Sequence, residues 1–173
     1  MRTRIFIYMA AGCLFGIAVW YLSPLLDEIE MTLSFLPFAL FWSFFLTIGC
    51  AWGTPAVLVA FIEARQTQSI WRPALAAALF WTTAIIAYYL YYAALIAITG
   101  EGQLEFLRIV NASNTDVWND WAWFFMENVI PNITEWIPIA MIGGALIGWL
   151  VGVLYRRKRR LRAQTTEAPV APN

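Results

Sequence analysis

The chain contains no histidine. Triads built on histidine and imidazole metal sites are therefore excluded. Cysteine is nearly as scarce: Cys13 and Cys50 are the two, both inside apolar stretches and with no Cys-x-x-Cys pair. That placement predicts small, buried, inert thiols rather than a disulfide or a redox centre. No phosphate-cradling glycine loop or Walker pattern occurs. Charge is thin too, at 13% of residues, and the interiors of the long apolar runs hold no Asp, Glu, Lys or Arg. Transporters and ion channels usually need intramembrane charge or a polar pathway; here those interiors offer only Ser, Thr, Tyr and Cys. No cofactor and no metal is expected.

What the chain does have is apolar surface. Of 173 residues, 61% are hydrophobic and 17% aromatic, against about 45–50% apolar in a soluble domain. A helical span needs roughly 20 apolar residues. The pattern predicts an all-α membrane protein, a four-transmembrane-helix bundle in one domain over residues 1–162. The predicted spans are residues 5–26, 38–62, 72–99 and 137–155. The first apolar run is too long for a signal h-region and lacks a small-x-small cleavage site, so it reads as an uncleaved span. Pro24 is expected to help end it. Residues 29–36 read as an interfacial lead-in, with Pro37 near the start of span 2 and Thr54-Pro55 loosening that helix further on. Residues 163–173 read as a disordered cytoplasmic tail.

Residues 100–136 form the one extended outer loop. In it, VWNDWAWFFMENVI puts Val117, Trp121, Phe124 and Phe125 on one helical face. This predicts an amphipathic helix lying in the membrane interface between spans 3 and 4. Pro131 is expected to end that helix, with Pro138 in the first turn of span 4.

Charge gives the orientation. Four spans place ten basic residues on one side: Arg2, Arg4, Arg65, Arg72, Arg156, Arg157, Lys158, Arg159, Arg160 and Arg162. Arg108 alone lies opposite, with Asp27, Glu28, Glu30, Glu101, Glu105, Asp116, Asp120, Glu127 and Glu135. The Lys/Arg-rich side is cytoplasmic, so both termini are expected inside. The membrane is the plasma membrane, of the bacterial inner-membrane type.

Four motifs remain. Glycines recur at four-residue spacing: Gly12/Gly16, Gly49/Gly53 and Gly144/Gly148/Gly152. Such faces let helix backbones approach closely in lipid. They predict packing within one bundle, and the last series could instead form a homodimer seam. Trp81, Tyr88 and Tyr92 share a face of span 3, where they read as packing and anchoring or, alternatively, as a pocket open to the outer side. Ser43 or Thr47 could partner the buried phenols. Glu63 sits at the cytoplasmic end of span 2, where it can reach water or pair with Arg65. The run Arg156, Arg157, Lys158, Arg159, Arg160 and Arg162 fixes topology and can attract anionic lipid. Asp116, Asp120 and Glu127 read as a solvated face rather than a catalytic set. Asn111 and Asn132 match glycosylation sequons.

The expected role is that of a non-enzymatic accessory or interaction protein. Its partners would be the lipid bilayer and a membrane protein or a second copy, not nucleic acid. The alternative is a carrier or channel for a neutral or apolar solute. The orientation is testable by thiol labelling after Cys13 and Cys50 are replaced by Ala. An Asn114→Cys variant should react with a membrane-impermeant maleimide in intact cells, and a Gln164→Cys variant only after permeabilisation. The reverse pattern refutes the topology.

Overall fold

The computed structural model describes residues 2–33, 38, 51–67, 69–99 and 117–166. These are helical apart from Phe38, Ser69 and Ile70, and no strand occurs among them. The elements are α1 (Arg2–Leu33), α2 (Thr54–Thr67), α3 (Trp71–Thr99), α4 (Val117–Phe124), a π-helical turn (Phe125–Val129) and α5 (Ile130–Thr166). Among the described residues, three helical stretches are long and apolar enough to cross a membrane: Thr3–Ser23, Trp71–Ile98 and Trp121–Arg162.

α3 is the centre, touching α1, α2 and α5. It starts where the sequence predicts, because Ser69 Oγ accepts from the Trp71 and Arg72 amides at 3.3 and 3.4 Å. Those amides belong to the first turn, which has no partners within the helix. Along α1, Gly12 lies against Phe80 and Gly16 against Ala84. Further on, Trp20 packs on Tyr88 and Tyr92. Numbers rise together, so α1 and α3 are parallel. Along α5, Gly144 meets Ala77 and Ala78, Gly148 meets Pro73 and Ala74, and Gly152 meets Ile70. Here one series rises as the other falls, so α3 and α5 are antiparallel. Tyr8 with Glu63 and Phe15 with Trp52 set α1 antiparallel to the chain at and beyond Trp52.

Three expectations about prolines are corrected. Pro24 does not end the first helix, which runs on to Leu33 and takes in residues 29–33 of the expected lead-in. A proline leaves the carbonyl four residues back without its amide donor. For Pro24 that carbonyl is Trp20 O, and the Ser23 hydroxyl donates to it at 2.8 Å. Pro131 does not end the outer helix either: α4, the π-turn and α5 are continuous. The wider turn hands the Ile130 amide to Phe125 O, so the ladder is redrawn before Pro131 reaches it. Pro138 consequently lies inside α5 rather than in a first turn. The same device stands before Pro55, where residues 51–53 are π-helical.

The π-turn also changes phase. Phe124 and Val129 are five residues apart, a spacing that an α-helix turns to different faces. Both are nonetheless buried in one cluster. The aromatic residues of α4 thereby join the face that continues through Ala140 and Gly144.

Other boundaries shift as well. Phe38, expected to open span 2, has φ 67° and is a turn residue. The rest of span 2 before residue 51 lies outside the described residues, as do Gly49, Cys50, Ser43 and Thr47. So do residues 100–116 of the outer loop. Residues 163–166 of the expected tail belong to α5.

The α3–α5 contact makes a graded prediction. A Cβ on Gly148 would stand 2.6 Å from Ala74 Cα, whereas one on Gly152 would stand 3.1 Å from Ile70 Cα. Overpacking costs about 1–3 kcal/mol, and alanine regains up to ~1 kcal/mol in helix propensity. Gly148→Ala should therefore lower stability clearly in a detergent unfolding titration, and Gly152→Ala should stay close to neutral.

Candidate functional site

The site begins with the inward stripe of α2. Ala56, Val59, Ala60, Glu63 and Ala64 are its buried residues, at the three- and four-residue spacing of one helical face. Glu63 lies on this stripe one turn beyond Val59 and Ala60, and so it turns inward. It is only 6% exposed. A buried carboxyl group needs a hydrogen-bond partner, and Tyr8 of α1 supplies one, donating to Glu63 Oε2 at 2.7 Å. The expectation that Glu63 reaches water or pairs with Arg65 is corrected: Arg65, two positions on, points outward and is exposed. The Thr67 hydroxyl closes the helix end by donating to Glu63 O at 2.8 Å.

Beside this pair opens a cavity of about 510 Å³, where the beginnings of α1 and α3 meet the end of α2. Arg4, Arg72, Gln66, Thr67, Tyr8 and Glu63 give it a polar wall, and Ile5, Leu75, Ala76 and Leu79 an apolar one. A second cavity, about 410 Å³, lies between α2 and α5 and is lined by Phe61, Arg65, Tyr155, Lys158, Arg159 and Arg162. Among the described residues, its charged lining is basic. Arg156 and Arg159 line a third, smaller space beside Gly152 and Ser69. Thus Arg156, Lys158, Arg159 and Arg162 border spaces against the bundle, and all six basic residues of the run are exposed on α5.

The aromatic residues of α3 do something else. Trp81 is 5% exposed and sits in the cluster of Tyr8, Phe80, Ile85 and Ala140. A Cβ on Gly143 would meet its ring at 3.2 Å. Tyr92 belongs to a second cluster with Trp20, Ala93, Ile96, Phe124 and Val129, against which Tyr88 packs. Trp20 and Tyr92 lie 4.6 Å apart between ring centroids, and Tyr92 meets Phe124 edge-on at 5.5 Å. Tyr21 and Tyr91 share a hydrogen bond between their hydroxyls. Trp121 donates its indole N–H to Ala93 O at 3.0 Å, pinning the residues that follow α4's start to α3. None of the three described cavities is lined by Trp81, Tyr88 or Tyr92. The Tyr92 hydroxyl is buried without a hydrogen-bond partner, as is the Thr82 hydroxyl.

The glycine faces are occupied by the chain itself. Gly12, Gly16, Gly144, Gly148 and Gly152 all lie against α3 or its leading residue Ile70, and Gly53 is buried. Cys13, expected to be buried, is exposed. Gly12 beside it faces α3, which turns the thiol away from the bundle. Glu127 is exposed, whereas Asp116 and the Asp120 side chain lie outside the described residues. Asn132 is held within α5, its amide donating to Asn128 O at 2.6 Å. Among the described residues no cluster of His, Cys, Asp or Glu could hold a metal ion.

Reasoning from the sequence missed Tyr8 and the Trp121 bond, and it expects Trp20 at the headgroup level near the far end of span 1, whereas Trp20 is buried against Tyr88 and Tyr92. For Tyr8 a signal existed: it precedes Gly12 by four residues, on the face that packs inward. Comparison with protein-family models, curated proteins and solved structures finds no match.

The buried pair is testable by a double-mutant cycle. Tyr8→Phe leaves the Glu63 acceptor unpaired, which costs about 1–3 kcal/mol. Replacing both partners with apolar groups, Tyr8→Phe with Glu63→Leu, should recover part of that loss in thermal melts of the detergent-solubilised protein. Equal stability of wild type and Tyr8→Phe contradicts the pairing.

Proposed function

We propose that the chain is a four-span plasma-membrane protein, of the bacterial inner-membrane type, with both termini cytoplasmic. In this reading it is a non-enzymatic accessory protein that engages a membrane-protein partner. Two parallel helices in sequence, α1 and α3, require the chain between them to come back across the bundle, which supports the fourth crossing. The tilt of Lys and Arg toward one side supports the orientation.

One observation carries the accessory role: the described helices close on one another. α3 meets α1 and α5 backbone to backbone at the glycines, and its large aromatic residues fill packed clusters. Solute transport calls for a path, and accessory binding calls for a surface. The outer helix supplies one, since Trp123, Met126 and Ile130 are 64%, 65% and 41% exposed on its outward side. An apolar stripe of this kind next to a well-packed bundle suits a partner helix or the interfacial region of the bilayer. At the other end, the groove of Arg65, Lys158, Arg159 and Arg162 suits anionic lipid, at ~1 kcal/mol per basic residue near the surface.

Site-specific photocrosslinking distinguishes these uses. A photoreactive residue at position 123 or 126 should give a discrete protein adduct in membranes, and one at Leu146, 61% exposed on α5, should not. A monodisperse monomer in mild detergent, with no adduct from any position, would overturn the accessory reading.

A further inference from the structure

The two larger cavities at the basic end differ in charge. Among the described residues, the groove between α2 and α5 carries four basic residues and no acid. The cavity of α1, α2 and α3 carries two guanidinium groups, Arg4 and Arg72, together with the buried carboxyl group of Glu63. An all-basic groove selects for net negative charge. A cavity of mixed sign selects for a ligand that carries both signs.

The position of this cavity narrows the ligand. Arg4 and Ile5 lie in the first turn of the apolar stretch Thr3–Ser23, and Arg72 and Leu75 in the first turns of Trp71–Ile98. The cavity therefore sits where spans enter the headgroup layer. Its apolar wall of Ile5, Leu75, Ala76 and Leu79 lies among the same helix turns. Leu75 is 47% exposed, so that wall reaches the outer surface of the bundle. A polar compartment continuous with an apolar wall fits an amphiphile. The volume falls within the ~300–1,000 Å³ of ordinary ligand sites.

The helix ends add to this. α1 and α3 present their N-termini here and α2 its C-terminus, so partial positive and partial negative charge converge on the cavity. Arginine is well suited to phosphate, donating in a planar fork. Glu63 accepts one bond from Tyr8, and a carboxylate has about four lone-pair sites, so acceptor capacity remains for an ammonium donor.

We propose that this cavity binds a phosphate–ammonium zwitterion, the headgroup chemistry of an aminoethyl phospholipid. Arg4 and Arg72 hold the phosphate, Glu63 receives the primary ammonium, and the acyl chains leave past Leu75. The site is separate from the basic groove and from the outer aromatic helix.

Native mass spectrometry of the full chain in mild detergent tests this with lipids of matched acyl chains. Phosphatidylethanolamine should be retained at one equivalent, at least fivefold above phosphatidylcholine, whose trimethylated ammonium has no N–H to donate. Glu63→Gln, which preserves an acceptor for Tyr8, should lower phosphatidylethanolamine retention at least fivefold and leave phosphatidylglycerol unchanged. The Arg4→Gln/Arg72→Gln pair, both exposed side chains, should lower phosphatidylethanolamine retention as far. Displacement of the lipid by millimolar free phosphoethanolamine supports the zwitterion site and assigns it to the soluble source; resistance to displacement supports it and assigns it to the lipid. Equal retention of the ethanolamine and choline lipids by the unaltered protein overturns the proposal. So does unchanged retention in both variants when each elutes as the wild type does.

Discussion

The structure depends on the contact of α3 with two glycine-bearing helices. In lipid, apolar side chains gain little by leaving the hydrocarbon for one another, so helix association rests on close approach and dispersion. α3 allows that approach with Pro73, Ala74, Ala77 and Ala78 toward α5 and with Phe80 and Ala84 toward α1. At about 3.6 residues per turn Pro73 and Phe80, like Ala77 and Ala84, lie only about 20° apart around the helix, so the two contacts adjoin on α3 and follow one another along its length. The aromatic residues Trp81 and Tyr92, together with Ile85, then fall into buried clusters beside these two contacts.

Much of this was legible in the sequence, but only on one side of each interface. The glycines announce themselves by their spacing. Their partners do not, because Ala74, Ala77, Ala78 and Ala84 look like filler in an alanine-rich span, and their role appears only when a second helix is laid against them. The prolines were misread for a related reason. A proline breaks an isolated helical ladder, and Pro24 and Pro131 were weighed in that way. What rescues each is local and specific: a serine hydroxyl on Trp20 O in one case, and a widened turn ending at Val129 in the other. Hydrophobic patterning carries no trace of either device.

Glu63 shows the same limit at the candidate site. Its sequence neighbours, Ala64 and Arg65, suggest a helix end in water. Its helical neighbours, Val59 and Ala60, place it on a buried stripe, and the partner that makes burial tolerable sits on α1, 55 residues away in sequence. Long-range pairings of this kind define the chemistry at the basic end. They separate a cavity of mixed sign from a groove whose described charges are all basic, a division that the sequence, with Glu63 set beside Arg65, does not show.

The π-turn at Phe125–Val129 has a consequence for how the chain can vary. Its extra residue fixes the rotational offset between the aromatic segment upstream and the glycine series downstream, so that Phe124 and Val129 share one buried cluster. Losing that residue would restore the α-helical count and turn the upstream segment by about 100° relative to α3. The two segments are thus geared to each other through one turn of a continuous helix, and a change of length on one side of it carries over to the other.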